Sequence, residues 1–173
     1  MAKPCFAWSA GIAGEGVGSL QGRMKRYSGL LVFLALVALA AWSGAMHEPG
    51  PFYAALKKPA WTPPDWVFPP AWAALYVMIA LAGWIVWRAQ GLGAALWVWL
   101  GQLMLNAAWP WLMFGRKQID VALFDIGALW LAILAFIVVA WPVRRSASLL
   151  FVPYFLWVTF AAALNFELWR LNM

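Results

Sequence analysis

Apolar runs of about twenty residues, separated by short clusters of charge, constrain the fold of this chain more than any other feature. An α-helix needs about twenty apolar residues to cross the hydrocarbon core of a bilayer. Only 10% of the residues are charged, whereas a soluble domain has about 25%. The sequence therefore predicts an all-α integral membrane protein, built as a bundle of five transmembrane helices. The predicted spans cover residues 28–46, 69–87, 94–114, 121–141 and 149–168.

The first 23 residues differ from the rest of the chain. They are rich in glycine, alanine and serine without a clear period, and a Lys-Arg pair at residues 25 and 26 then precedes the first apolar run. We expect residues 1–23 to be a disordered extension that is dispensable for folding, and residues 24–173 to form one membrane domain. The first run has about 19 residues, more than the 7–15 of a signal-peptide core, which favours a retained span.

Charge and reactive residues exclude several classes of function. The net charge of +6 is typical of membrane topology and lipid headgroup contact, so no nucleic-acid partner is expected. One cysteine and one histidine cannot form a disulfide or hold haem iron between two histidines. A bound tetrapyrrole would therefore be held by ring contacts rather than by two histidines. The sequence also contains no nucleophile constellation or phosphate-binding loop, so we predict no catalytic residue, no metal site and no obligatory cofactor.

The stretch from Lys57 to Tyr76 contains five prolines and three tryptophans. Each proline removes a backbone donor and restricts the residue before it, so this stretch is a poor helix up to about Asp65. Pro69 and Pro70 can lie in the first turn of the next helix, where a missing N–H does no harm. Residues 48–65, which we call the first loop, are therefore predicted to form a rigid Pro/Trp-rich lid over the bundle.

Three of the predicted spans each place their aromatic side chains on a single helical face, and in two of these spans the same face carries amides. Amides in a membrane face the bundle interior, so the aromatic residues on the same faces should point inward and line a pocket. Two roles stay open for the amides, which are contact with a ligand and hydrogen bonding between helices. The faces follow helical spacing and comprise Phe68, Trp72, Leu75, Tyr76 and Ile79; Gln102, Asn106, Trp109 and Met113; and Trp157, Ala161, Leu164, Asn165 and Leu168.

Nine of the fifteen tryptophans fall into two predicted groups. Those near span ends fit an aromatic belt at the headgroup level, namely Trp42, Trp84, Trp87, Trp141 and Trp169. Those inside spans need a partner for the indole N–H or line a cavity, namely Trp72, Trp109, Trp130 and Trp157.

Asp125 is a carboxylate in the first turns of the fourth predicted span. An intramembrane charge marks a candidate functional site. The positive end of the helix dipole would also stabilise a carboxylate at this position. Functional and structural roles both stay open for this residue.

Several blocks of residues, in order along the chain, resemble the TspO/MBR family. This family contains the tryptophan-rich sensory proteins of bacteria and the mitochondrial translocator protein, formerly the peripheral benzodiazepine receptor. The resemblance covers residues 24–172 and all five predicted spans. Its blocks are residues 58–64 (KPAWTPP), Trp66–Pro69 with Trp72, Leu75 and Tyr76, Gln102 to Trp109 with Phe114-Gly115, Ala122-Leu123 with Asp125, and Pro153-Tyr154 through Trp157, Asn165 and Trp169 to Asn172.

The resemblance implies a five-helix bundle that forms a homodimer. It also implies a pocket near the first loop for porphyrins (protoporphyrin IX and haem), related planar hydrophobic ligands including benzodiazepines, and sterols. Membrane lipids would be further partners, and the bacterial cell envelope would be the location, in its inner or outer membrane. By position, the family's ligand-binding residues correspond to Tyr53, Phe68, Trp72, Asn106, Trp109, Trp157, Ala161, Leu164 and Phe166.

The sequence departs from the family pattern at Phe166. Animal members have a tyrosine there in the segment that recognises sterols, and some bacterial relatives that degrade porphyrin in light carry a tryptophan there. Three functions therefore stay open. The first is a receptor, sensor or transporter of porphyrins, the second is a light-dependent porphyrin-degrading enzyme, and the third is a membrane scaffold that acts through its dimer face.

Overall fold

The computed structural model describes residues 13–173, with side chains from Ser28 onward. Residues 1–12 of the predicted extension lie outside the described residues, and helix α1 begins within its remainder, at Ala13. That the extension is dispensable stays a prediction. Every regular element in the described part of the chain is helical. The α-helices are α1 (Ala13–Met46), α2 (Pro51–Ala55), α3 (Phe68–Gln90), α4 (Ala94–Pro110), α5 (Ile119–Ala140) and α6 (Arg145–Asn172).

The prediction of an all-α membrane fold is confirmed. Four of the predicted spans lie along α1, α3, α5 and α6, and the predicted span 94–114 covers α4 and the residues after it. Among the described residues, four helical segments are long and apolar enough to cross a membrane, in α1, α3, α5 and α6. Helix α4 has 17 residues, or about 26 Å at a rise of 1.5 Å per residue. That length is less than the ~30 Å of a hydrocarbon core.

Helix α4 does not end at residue 110 but continues as a π-helical turn, Trp111–Gly115. The Arg116 N–H donates to the Trp111 carbonyl at 2.7 Å, the i to i+5 pairing of a π-helix. The helical path ends at Lys117, whose φ of 57° lies in the left-handed region that often closes helices. The extra residue per turn shifts the side chains that follow around the helix axis.

The core of the bundle lies where α5 packs along α4 and α6, and α3 packs along α1 and α6. Trp99 of α4 is fully buried, and its Nε1–H donates to the Ile79 carbonyl of α3 at 2.9 Å. Gly83 makes this approach possible, because a Cβ there would lie 2.5 Å from the Trp99 ring and 2.8 Å from Phe33. This tryptophan therefore joins α4 to α3 at a point where only glycine fits.

The first loop is attached to α6 at two places. The Lys57 N–H donates to Asn172 Oδ1 at 3.0 Å, and Asn172 Nδ2 donates back to the Lys57 carbonyl at 3.0 Å. Further along the loop, the Trp61 ring packs edge-on against Phe160, with centroids 5.7 Å apart. The loop thus has a defined position across the end of the bundle where α6 finishes.

Candidate functional site

A cavity of about 610 Å³ lies beneath the first loop. All five long helices contribute to its wall, and Glu48, Pro49 and Tyr53 of the first loop border it as well. The volume falls within the 300–1,000 Å³ of typical small-molecule sites. The wall is mostly aromatic and aliphatic, with a few polar groups that could orient a ligand.

Eight of the nine sequence-predicted ligand-binding residues line this cavity. They are Tyr53, Phe68, Trp72, Asn106, Trp109, Trp157, Ala161 and Leu164. The Phe68 and Trp157 rings meet edge-on with centroids 5.8 Å apart, and Trp72 meets Tyr154 in the same way at 6.2 Å. These contacts fix the orientation of the rings, so part of the aromatic wall is formed before any ligand arrives.

Phe166 is the ninth of these residues, and its part in ligand binding stays a prediction. It does not border the cavity but is 46% exposed and packs against Trp169, with ring centroids 5.8 Å apart. Phe166 follows Trp157 by nine residues, or about two and a half turns of helix, which places it on the opposite side of the helix axis. Since Trp157 faces the cavity, Phe166 faces away from it.

Asn106 joins three helices at the floor of the cavity. The Tyr76 hydroxyl of α3 donates to Asn106 Oδ1 at 3.1 Å, and Asn106 Nδ2 donates to the Tyr154 hydroxyl of α6 at 2.8 Å. Asn106 is 3% exposed and Tyr154 is fully buried. Of the two roles left open for the amides, interhelical hydrogen bonding is therefore observed, and Asn106 lines the cavity as well.

A second amide supports the tryptophan of α4. Trp109 Nε1–H donates to Asn165 Oδ1 at 3.0 Å, while Asn165 Nδ2 donates to the Ile119 carbonyl at 3.2 Å. Both Trp109 and Asn165 line the cavity. By contrast, the Nε1–H of Trp157 is buried without a hydrogen-bond partner.

Two polar residues singled out in the sequence lie outside the cavity wall. Gln102 is fully buried, and neither of its side-chain amide atoms has a hydrogen-bond partner. Asp125 is partly buried, and its Oδ2 atom also lacks a partner. Neither residue borders the cavity, although Asn106, one turn after Gln102, and Ile126, next to Asp125, both do.

The mouth of the cavity carries ionisable groups that the helical spacing did not reveal. His47, Glu48 and Asp65 all border it. Burial, and secondarily the Asp65 carboxylate, raises the pKa of the Tyr53 hydroxyl above its ordinary value. The Lys58 ammonium lies 4.2 Å from the centre of the Tyr53 ring. Within the described part of the chain, no three histidine, cysteine or carboxylate side chains gather closely enough to hold a free metal ion.

The chain is similar to known proteins over a range that contains every residue of the cavity wall. Residues 30–170 match the model of the TspO/MBR family. The chain belongs to the TspO/MBR family. Together with its apolar helices, this membership makes it a multi-pass membrane protein.

Individual family members align with most of the chain. A tryptophan-rich sensory protein of Cereibacter sphaeroides is 41% identical over 82% of this chain and 90% of its own length. Protein CrtK of Rhodobacter capsulatus is 38% identical over 82% of this chain and 91% of its own. The translocator protein of Bos taurus is 36% identical over 81% of this chain and 88% of its own length.

In this TspO/MBR family member, the site is suited to binding a flat, apolar molecule. Aromatic rings from α3, α4 and α6 offer faces and edges for stacking. The hydroxyl of Tyr76 and the amides of Asn106 and Asn165 provide a small number of polar contacts. A few polar groups in an otherwise apolar wall are what fix the orientation of a ligand in such pockets.

Proposed function

We propose that this protein is a membrane receptor, sensor or transporter that binds porphyrins and related planar hydrophobic ligands beneath the first loop. Protoporphyrin IX and haem are the principal ligands of this proposal, and sterols are a further class. The observation that carries it is the aromatic cavity, whose wall includes Trp72, Trp109 and Trp157. Its volume and flat aromatic faces favour a rigid ring system over a flexible chain.

The architecture proposed with this function has five spans and a lid. Helix α4 and the π-helical turn after it together cover Ala94–Gly115, and we propose that this combined segment is the fifth span. The first loop acts as the lid, since it borders the cavity and is fastened to α6 through Asn172. We further propose a homodimer in the bacterial cell envelope. The similarity to proteins of Rhodobacter capsulatus and Cereibacter sphaeroides supports that location.

Protoporphyrin IX binding to the purified protein tests the ligand site through quenching of tryptophan fluorescence. Trp72→Ala and Trp157→Ala each remove one indole from the cavity wall. We expect each to weaken binding by about 1 kcal/mol, the scale of one aromatic contact, which is about fivefold in Kd. Trp97→Ala is the matched control, because Trp97 is 61% exposed and does not border the cavity.

The control variant should bind as the unmodified protein does. Equal affinity in the unmodified protein, both cavity variants and the control would place the porphyrin elsewhere. In that case the cavity is not the binding site, and the proposed function loses its support.

A further inference from the structure

His47 is the residue that follows α1, and it borders the cavity. The imidazole is held in place from within its own chain segment. Its Nδ1 atom lies 2.9 Å from the carbonyl oxygen of Ser43, one helical turn earlier. A carbonyl oxygen can only accept a hydrogen bond, so Nδ1 must be the donor.

This hydrogen bond decides which ring nitrogen is free. In the neutral imidazole, a proton on Nδ1 leaves the lone pair on Nε2. Nε2 has no hydrogen-bond partner among the residues that the structure describes. A histidine that donates one ring N–H to a backbone carbonyl and offers the other nitrogen has the arrangement found in metal-binding histidines.

Gly115 provides the space for this ring. A Cβ at position 115 would lie 2.7 Å from Cδ2 and 3.3 Å from Nε2 of His47. Contacts this short force the ring to move, so any side chain at 115 would displace the edge that carries Nε2. Gly115 is the last residue of the π-helical turn, and this turn therefore takes part in positioning the histidine.

A single histidine is too little for a free metal ion, and among the described residues no group of three or more histidine, cysteine or carboxylate side chains is placed to hold one. A metalloporphyrin is different, because its macrocycle already supplies four nitrogen ligands and the protein needs to add only one. The aromatic wall beside His47 is suited to the macrocycle. His47 and that wall thus offer the two contacts, one axial and one planar, that such a ligand requires.

We propose that Nε2 of His47 is the axial ligand to the iron of a haem bound in the cavity. This inference rests on the proposed function and deepens it, because it makes the site selective for iron porphyrin over the metal-free ring. The lone pair of Nε2 forms the iron–nitrogen bond, and Nδ1–H keeps its hydrogen bond to Ser43. Since the sequence contains one histidine, the iron has a single histidine ligand.

The first test uses the unmodified protein and asks whether the bond exists. The full chain is purified through an affinity tag without histidine, loaded with haem and reduced, and the iron–histidine stretch is measured by resonance Raman spectroscopy. Labelling histidine with ¹⁵N should shift that band, and because His47 is the chain's one histidine the shift assigns it. A haem-loaded protein without an iron–histidine band overturns the proposal.

The second test compares haem with metal-free protoporphyrin IX in the unmodified protein and in His47→Ala. Loss of an outer partner of a metal ligand weakens metal binding about 10–100-fold, so loss of the ligand itself should weaken haem binding at least about tenfold. Protoporphyrin IX affinity should change less than about twofold, or about 0.4 kcal/mol. Added imidazole should restore the axial bond in His47→Ala, since the imidazole can occupy the vacated place.

Gly115→Ala is a second variant, which keeps Nε2 of His47 but displaces it. It should weaken haem binding and leave protoporphyrin IX binding unchanged. Equal haem affinity in all three proteins overturns the role of His47 even if porphyrin binds well. If protoporphyrin IX fails to bind the unmodified protein, the proposed function fails instead, so the two failures are distinguishable.

Discussion

The hydrogen bond between Asn106 and Tyr154 should contribute measurably to the stability of the bundle. Asn106 Nδ2 donates to the Tyr154 hydroxyl at 2.8 Å and Asn106 Oδ1 accepts from Tyr76 at 3.1 Å. Tyr154 is fully buried and does not border the cavity, so its hydroxyl would lose a partner that water does not readily replace. Replacing Asn106 by leucine keeps the approximate volume and removes both hydrogen bonds.

The magnitude follows from measured interhelical hydrogen bonds in membranes, which average about 0.6 kcal/mol and reach about 1.7 kcal/mol. Two lost bonds predict that Asn106→Leu lowers the free energy of unfolding by about 1–3 kcal/mol. Tyr154→Phe removes one of the same bonds. A double-mutant cycle with Asn106→Leu and Tyr154→Phe should therefore give a coupling energy of about 0.6–1.7 kcal/mol.

Unfolding in mixed micelles of mild detergent and dodecyl sulfate, followed by circular dichroism, gives the four free energies. The control cycle pairs Tyr154→Phe with Asn165→Leu. These two positions lie eleven residues apart on α6, about 16 Å along the helix, and Asn165 bonds to other groups. That cycle should be additive to within about 0.5 kcal/mol. Additivity in the Asn106 cycle as well would refute the reasoning.

Two further predictions concern packing and topology. Gly83→Ala should lower the free energy of unfolding by about 1–3 kcal/mol through overpacking, because its Cβ would meet the Trp99 ring at 2.5 Å. Gly127→Ala, where nothing lies within 4 Å of the added atom, is the neutral control, and equal stability of the two variants would contradict the described packing. If α4 and its π-helical turn form the fifth span, single cysteines at residues 92 and 117, in a chain with Cys5 changed to serine, should react with a membrane-impermeant reagent from opposite sides of sealed vesicles. If both cysteines reacted from the same side, the segment between them would not cross the membrane, and the proposed fifth span would be wrong.

The inward faces of α4 and α6 could be predicted from the sequence because they contain amides. Asn106 and Asn165 cannot face lipid cheaply, so the tryptophans that share their faces were placed correctly. The placement of amides predicts which face of a helix points inward, but it does not predict where along the bundle axis the cavity lies. Gln102 lies on the predicted face of α4 yet outside the wall, because the cavity lies at the other end of that face.

Two other parts of the site had no usable pattern in the sequence. Helix α1 contributes Ala41, Gly44 and Ala45 to the wall, and small apolar residues look the same whether they face lipid or a cavity. Phe166 was assigned from the family resemblance, by its position in a motif, and helical spacing places it on the opposite side of α6 from Trp157. The π-helical turn also had no sequence signal apart from Pro110, which precedes it.

The paired hydrogen bonds between Lys57 and Asn172 have a kinetic consequence. Outward movement of the first loop must break both of them, so the penultimate residue of the chain affects how fast the cavity can exchange its contents. These bonds involve main-chain atoms of the loop and leave the cavity wall untouched. Asn172→Ala should therefore speed ligand association and dissociation together, with little change in their ratio. A fusion partner attached directly after Met173 would disturb the same two hydrogen bonds between Lys57 and Asn172, although it lies far in sequence from the loop.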